Sequence, residues 1–213
     1  MALPMVHLAV ARALYERRKD DVMADGAYYL GAISPDAVHM RPAYDKTLKA
    51  ASHFTADKSR QKDPAAWTAD ALLALHGRKS DPFCLGYVVH VLTDIIWAQT
   101  LGGKIYDAYD ADPSPAQSRS AAYYNDTDLI DIELYKNAAW REEVFGLMEE
   151  ARAQAFDELV TEADCAAWLA RTIRWYDEHY ESMYQPMRYV NEAETAAFIQ
   201  EAAEEIEKLL DAE

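Results

Sequence analysis

The sequence predicts one all-α domain of eight or nine helices, and three observations carry that prediction. Glycine and proline number only 7 and 8 in 213 residues, too few for the turns a sheet protein needs. Ala, Leu, Glu and Tyr dominate, a composition that favours helix. Apolar residues recur three and four apart along nearly the whole chain, with capping residues where the pattern begins. At 51% hydrophobic and 27% charged residues, the chain can bury a sizeable core, which excludes a disordered protein.

Each element follows from local signals. Pro4 fits a first helical turn, and Leu3, Val6, Val10 and Leu14 keep helical spacing to about Lys19. A second apolar piece, Val22 to Ile33, ends at Ser34-Pro35-Asp36, a stop and turn. Tyr44 to Phe54 makes a short helix. Asp63-Pro64 opens another, with Asp63 as N-cap, and His76-Gly77 closes it. Ser80 to Thr100 is the core helix: Ser80 caps it, Pro82 sits in its first turn, and Gly102-Gly103 ends it. Residues 110 to 118 (DADPSPAQS) form a loop. Helices follow at Tyr123–Tyr135, Arg141–Leu159, Thr161 to about Tyr184 and Glu192–Leu210, with Thr161 and Asp164 placed as a capping box. Residues 192–213 carry eight acids and one lysine, the solvated face of an acidic C-terminal helix. No internal repeat divides residues 1–213, so one domain is expected.

Charge and segment patterns exclude several functions. Basic residues number 21 and acidic residues 37, a net charge of −16, which argues against binding a nucleic-acid duplex. No apolar run approaches the ~20 residues of a membrane span, and the charges of MALPMVHLAVARALYERRK follow its apolar stretch, the reverse of a secretory signal. Two cysteines, Cys84 and Cys165, cannot build a disulfide framework. The expected setting is the cytoplasm, without integral membrane contact.

The candidate chemistry centres on GYVVHVLTDIIW, Gly86 to Trp97. His90 and Asp94 are four apart, so a helix sets them about 40° apart on one face. Inside an apolar helix, both are costly to bury unless each is paired or ligates a metal. A His–Asp hydrogen bond would satisfy this pair alone. Further segments add ligand types: Asp36 at a turn, His53 at a helix end, and His7 on the apolar face of the first helix, where histidine is unusual. Asp36, His53, His90 and Asp94 together make a four-ligand N/O shell suited to zinc, and His7 can hold a second ion that shares Asp94.

These pieces, in order, are an early-helix histidine (His7), a G-x-x-x-P-D turn (Gly31 to Asp36), S-H-F with His53, and G-Y-x-x-H-x-x-x-D (Gly86 to Asp94). The arrangement resembles the zinc-dependent phospholipase C family, whose fold is shared with the single-strand-specific zinc nucleases, over about His7 to Asp131. The resemblance implies that Asp36, His53, His90 and Asp94 hold one zinc, that His7 helps hold another, and that Asp94 bridges the two. Secreted members also ligate zinc through a mature N-terminal tryptophan, whereas this chain begins MALP. Where members carry H-x-x-x-E for a third zinc, this chain has Thr127 and Asp131. Asn125, Asp128 and Asp131 offer oxygen ligands only, with Asp131 at the glutamate position, so a centre of one or two ions is expected and the second position favours a harder divalent ion.

The implied activity is phosphoester hydrolysis, with a metal-activated water attacking phosphorus and Asp36 or Asp94 as base where not fully engaged as ligand. The substrate is a soluble or lipid anionic phosphoester. The alternative is a non-catalytic helical metal-binding protein that keeps the ligands. HD-type phosphohydrolases need an adjacent His-Asp pair and ferritin-like oxidases need Glu-x-x-His; this chain has neither. Arg41, Lys46, Lys49, Lys58, Arg60 and Lys62 against Asp45 and Asp57 make a basic stretch around His53 that would draw an anion. His39 reads as a solvent-facing turn residue, His76 as a helix-end residue and His179 as a surface or packing residue. Tyr28, Tyr29, Tyr123 and Tyr124 read as core packing beside the ligand segments.

Overall fold

A computed structural model describes residues 2–57 and 62–212. The helices are α1 (Pro4–Arg18), α2 (Gly26–Gly31), α3 (Lys46–Ser52), α4 (Pro64–Leu75), α5 (Pro82–Gln99), α6 (Leu101–Ala111), α7 (Arg119–Asn137), α8 (Arg141–Glu150), α9 (Glu162–Glu178) and α10 (Glu192–Asp211). Short 3₁₀ turns lie at Asp21–Ala24, Ser34–Met40 and Glu181–Met183. Among the described residues there is no strand, only an isolated bridge between Phe156 and Val160. The all-α class is as the sequence predicts; α2 falls within the expected Val22 to Ile33 piece, and α6 is a helix the sequence reading did not give.

α5 is the axle. Every residue from Phe83 to Ile95 is buried, as expected of a helix packed on all sides. α1, α2, α4, α6 and α10 all touch it. By length and composition, the span Pro82–Ala111 is apolar enough to cross a membrane, but 78% of its apolar window is buried inside the domain. Trp97 near its end is buried, donates to the Tyr123 hydroxyl at 2.8 Å and meets Phe198 edge-on. Truncating it to alanine would cost about 3–5 kcal/mol.

The closest helix pair is α2 against α5. A Cβ on Gly86 would lie 1.9 Å from the Tyr28 carbonyl oxygen, and one on Gly31 would lie 2.2 Å from that of Phe83. Both glycines let the two backbones touch. α2 thus packs directly against Gly86, one turn before His90, and this contact sets how far the turn carrying Asp36 stands from α5.

Several boundaries differ from the sequence reading, each for a visible reason. Asp81 rather than Ser80 caps α5, accepting from Cys84 N at 3.1 Å, which leaves Pro82 at the first helical position. The break after α5 comes at Thr100, whose backbone leaves the helical region. Gly102 and Gly103 lie within α6 instead, and a Cβ on Gly102 would strike the Trp97 ring. The helix expected to run to Leu159 stops at Glu150, because Phe156 turns inward to stack on Tyr87 at 3.8 Å. The helix expected to reach Tyr184 ends at Glu178, where the His179 ring stacks on Trp175. The capping box at Thr161 and Asp164 forms as expected, and Asn191 with Glu194 makes a second. Cys84 and Cys165 are both buried and not in a disulfide.

Candidate metal centre

Four elements converge on one buried point. α5 contributes His90 and Asp94 one turn apart, α1 contributes His7, the 3₁₀ turn after α2 contributes Asp36, and the C-cap of α3 is His53. His7, His53, His90 and Asp94 are each at most 2% exposed, and Asp36 is 8% exposed. The sequence-predicted ligands other than Asp131 are therefore brought together.

Each histidine is oriented from behind. The Ala32 carbonyl lies 2.8 Å from His90 Nδ1 and can only accept, so Nδ1 carries the proton and Nε2 presents a lone pair. Likewise His53 Nδ1 lies 3.0 Å from the Lys49 carbonyl, which turns His53 Nε2 into an acceptor. The Trp67 indole donates to the His53 carbonyl and the Tyr87 hydroxyl to the Ser52 carbonyl, which pins the end of α3. The His7 ring stacks on His90, with centroids 3.6 Å apart and planes 8° apart.

Acceptors face one another here, and among the described residues only Lys49 Nζ, on Asp36 Oδ1, and Ala2 N, on Asp94 Oδ1, donate to the carboxylates. The two lone-pair nitrogens, His53 Nε2 and His90 Nε2, stand 3.3 Å apart. Asp36 Oδ1 is 3.5 Å from His53 Nε2, and Asp94 Oδ2 is 3.5 Å from His53 Nε2 and 3.9 Å from His90 Nε2. On the other side, Asp94 Oδ1 lies 3.6 Å from His7 Nε2 and accepts from Ala2 N. Both ring nitrogens of His7 and Asp94 Oδ2 are buried with no hydrogen-bond partner among the described residues. Two ligands each about 2.0 Å from one tetrahedral ion are themselves about 3.3 Å apart, the separation of His53 Nε2 and His90 Nε2. The groups His7/His90/Asp94 and Asp36/His53/His90 could each hold a metal ion. Asp94 offers one oxygen to each side.

Protonation favours ligation. Burial lowers His7 well below the usual histidine range, the neighbouring His90 adding to it, and burial lowers His53 to about 3 despite the opposing pull of Asp36. Both rings are neutral at pH 7, as ligands must be. Burial alone would raise Asp36, but the Lys49 ammonium 2.5 Å away, with His90 and His53, overrides that and holds its carboxyl well below the usual range.

The centre opens into a cavity of about 850 Å³ whose walls include Asp36, His53 and Asp94. His39 also lines it, 3.2 Å from Lys49 Nζ and 3.9 Å from Asp36 Oδ1, so it is not the solvent-facing turn residue its position suggested. Lys46, Lys49 and Arg171 bring cations to the same walls. Of the predicted basic stretch, Arg41 is instead committed to Asp164 and the Leu159 carbonyl, while Lys58 and Arg60 lie outside the described residues. Arg171 and Trp168 carried no signal in the sequence beyond helical periodicity. Tyr28, Tyr29 and Tyr123 are core residues, but Tyr124 is 55% exposed and lines the cavity.

Asp131 lies elsewhere. It accepts from Met5 N at 3.1 Å, Val6 N at 3.3 Å and the Tyr176 hydroxyl at 2.7 Å. Its oxygens serve the N-terminus of α1, whose own N-cap Leu3 has no side-chain acceptor. Thr127, where the family pattern has a histidine, bonds back to the Tyr123 carbonyl. A third metal position is therefore not assembled by these residues.

No protein-family model, curated protein or solved structure matches this chain. The resemblance to the zinc-dependent phospholipase C family rests on the motifs alone.

Proposed function

We propose that this protein is a metal-dependent phosphoester hydrolase, with zinc at Asp36, His53, His90 and Asp94 and a second divalent ion between His7 and Asp94. One observation carries the reading: two buried imidazole lone pairs 3.3 Å apart, flanked by carboxylate oxygens and open on one side to a cationic cavity. Facing acceptors repel one another unless a cation lies between them. An ion bound there would acidify a water molecule and draw charge from a phosphoryl oxygen.

The chain's own residues supply the rest. Lys46 and Lys49 draw an anionic substrate into the cavity of an otherwise acidic protein. Asp36, kept ionised by Lys49, orients the attacking water as a hydrogen-bond acceptor and is too weak a base to retain its proton. The proton the water gives up passes to the leaving alcohol oxygen, because His39, 3.9 Å from Asp36, is kept neutral by burial and by Lys49. Water adds at phosphorus, the P–O bond to the alcohol breaks, and the alcohol leaves with a proton.

Hydrolysis of bis(4-nitrophenyl) phosphate and 4-nitrophenyl phosphate by protein loaded with zinc or manganese tests the reading. Turnover that chelator abolishes and metal restores is the expected result. Bound metal without turnover of either ester would make this a non-catalytic metal-binding protein.

A further inference from the structure

α9 brings a second chemistry to the cavity, away from the metal ligands. Trp168 and Arg171 line the 850 Å³ cavity, and Arg171 and Thr172 line an adjoining one of about 250 Å³. These residues, three and four apart, share one face of the helix.

Arg171 stands out among the arginines. The other ten described arginines each lie within ion-pair distance of a carboxylate. Arg171 has no such partner among the described residues; its guanidinium sits 5.0 Å over the Trp168 ring. Asp128 and Asp131 line the smaller cavity, but Asp131 is committed to α1 and Tyr176, and the Asp128 carboxyl is pushed up by burial and bonds Tyr184. On the same face, Trp168 Nε1 and Thr172 Oγ1 are buried donors without an acceptor among the described residues. The half-buried Arg171 guanidinium is a cation on the cavity wall that lacks its acceptor, while the Trp168 and Thr172 donors are enclosed and do not face the cavity.

The distance from this wall to the metal centre is short. The Trp168 ring is 6.0 Å from the His39 ring, and His39 Nε2 is 3.9 Å from Asp36 Oδ1. Two rings, Trp168 and His39, with steps of 5.0, 6.0 and 3.9 Å, therefore link the guanidinium to the ligand Asp36. The intervening walls include Met40, Tyr44 and Trp168, which suit an apolar or aromatic spacer.

We infer that Arg171 is a specificity residue that binds a second anionic group on the alcohol part of the substrate, so the preferred substrate is a phosphoester of an aromatic or apolar alcohol that also bears a carboxylate or phosphate. This rests on the hydrolase reading for its substrate, but its test does not need turnover. Titration calorimetry on zinc-loaded protein compares phenyl phosphate with 4-carboxyphenyl phosphate, which differ only in the second anion. The wild type binds the carboxylated compound about tenfold more tightly, the worth of one charge-assisted contact. Arg171→Met weakens that compound about tenfold more than it weakens phenyl phosphate, and Arg171→Lys keeps part of the preference. Equal binding of the two by wild type, loss of both in equal measure in Arg171→Met, or binding of neither overturns the inference. Preferential binding without turnover supports Arg171 and removes only the hydrolase reading.

Discussion

Asp94 and Asp131 are both 1% exposed, lie on two helices that each pack against α1, and are both carboxylates the sequence marks as candidate ligands. Their surroundings are opposite. Asp131 accepts from two backbone amides and a tyrosine hydroxyl, whereas Asp94, among the described residues, accepts only from Ala2 N and leaves Oδ2 facing the lone pairs of two histidines. Burial alone does not identify a ligand; the missing donors do. A buried carboxylate whose oxygens all find hydrogen is structural, and one that faces other acceptors is a candidate ligand.

The largest expected effect comes from removing the charge whose Oδ2 has no donor. Asp94→Asn supplies one neutral oxygen where two anionic ones are needed, so metal affinity should fall by more than the ~100-fold that loss of an outer partner costs. Asp36→Asn should cost less, since only one side of the centre depends on it. In chelator, Asp94→Asn should melt no lower than wild type, because the change is nearly isosteric and removes a buried charge whose Oδ2 has no donor. A drop in melting temperature there would make Asp94 a structural residue like Asp131.

The converse variant tests the other member of the pair. Asp131→Ala strands Met5 N, Val6 N and the Tyr176 hydroxyl, and should destabilise the fold by about 3 kcal/mol in urea while metal per folded chain stays at the wild-type level. Metal loss in proportion would return Asp131 to the ligand set.

The two regions should also titrate in opposite senses. His53 is lowered to about 3 by burial, so below the usual histidine range near 6.5 the unfolded chain takes up a proton that the fold refuses. Stability is lost as pH falls through that range. Asp131 is pushed up to about 7 by burial, against its hydrogen bonds, so the fold takes up a proton between about 7 and 4 that the unfolded chain refuses. Stability is gained as pH falls there. In chelator, His53→Gln should therefore flatten the acid loss and Asp131→Asn should steepen it, each by about 1–3 kcal/mol between pH 7 and 4. Shifts of the same sign in both variants would contradict the contrast.

A smaller effect belongs to the cavity wall. Lys46→Glu should raise KM for an anionic phosphoester about threefold at low salt and less at high salt, with kcat unchanged, because Lys46 steers rather than reacts. An equal fall in kcat would place it at the reacting atoms.

Much of this was legible in the sequence because the signals were local or periodic. His90 and Asp94 are one turn apart in a helix with almost no other polar residue, and the P-D turn and S-H-F segment sit at helix ends where ligands can project. Asp131 was misleading for a physical reason. Helix starts are normally capped from the preceding residue, but Leu3 cannot cap, and the acceptor comes from a residue 126 positions away. Nothing in its own segment records that. Arg171 was silent likewise, since an unpaired cation differs from a paired one only through what surrounds it. The early stop at Glu150 depended on Phe156 finding Tyr87, a contact that periodicity cannot see.

The most direct test of the Asp94–Asp131 contrast is elemental analysis of wild type, Asp94→Asn and Asp131→Asn, each purified without chelator and then reconstituted with zinc. Wild type and Asp131→Asn should each carry at least one transition-metal ion per chain, and Asp94→Asn only a small fraction of that. Wild type that stays substoichiometric after zinc reconstitution, or Asp94→Asn that holds as much metal as wild type, would contradict the account.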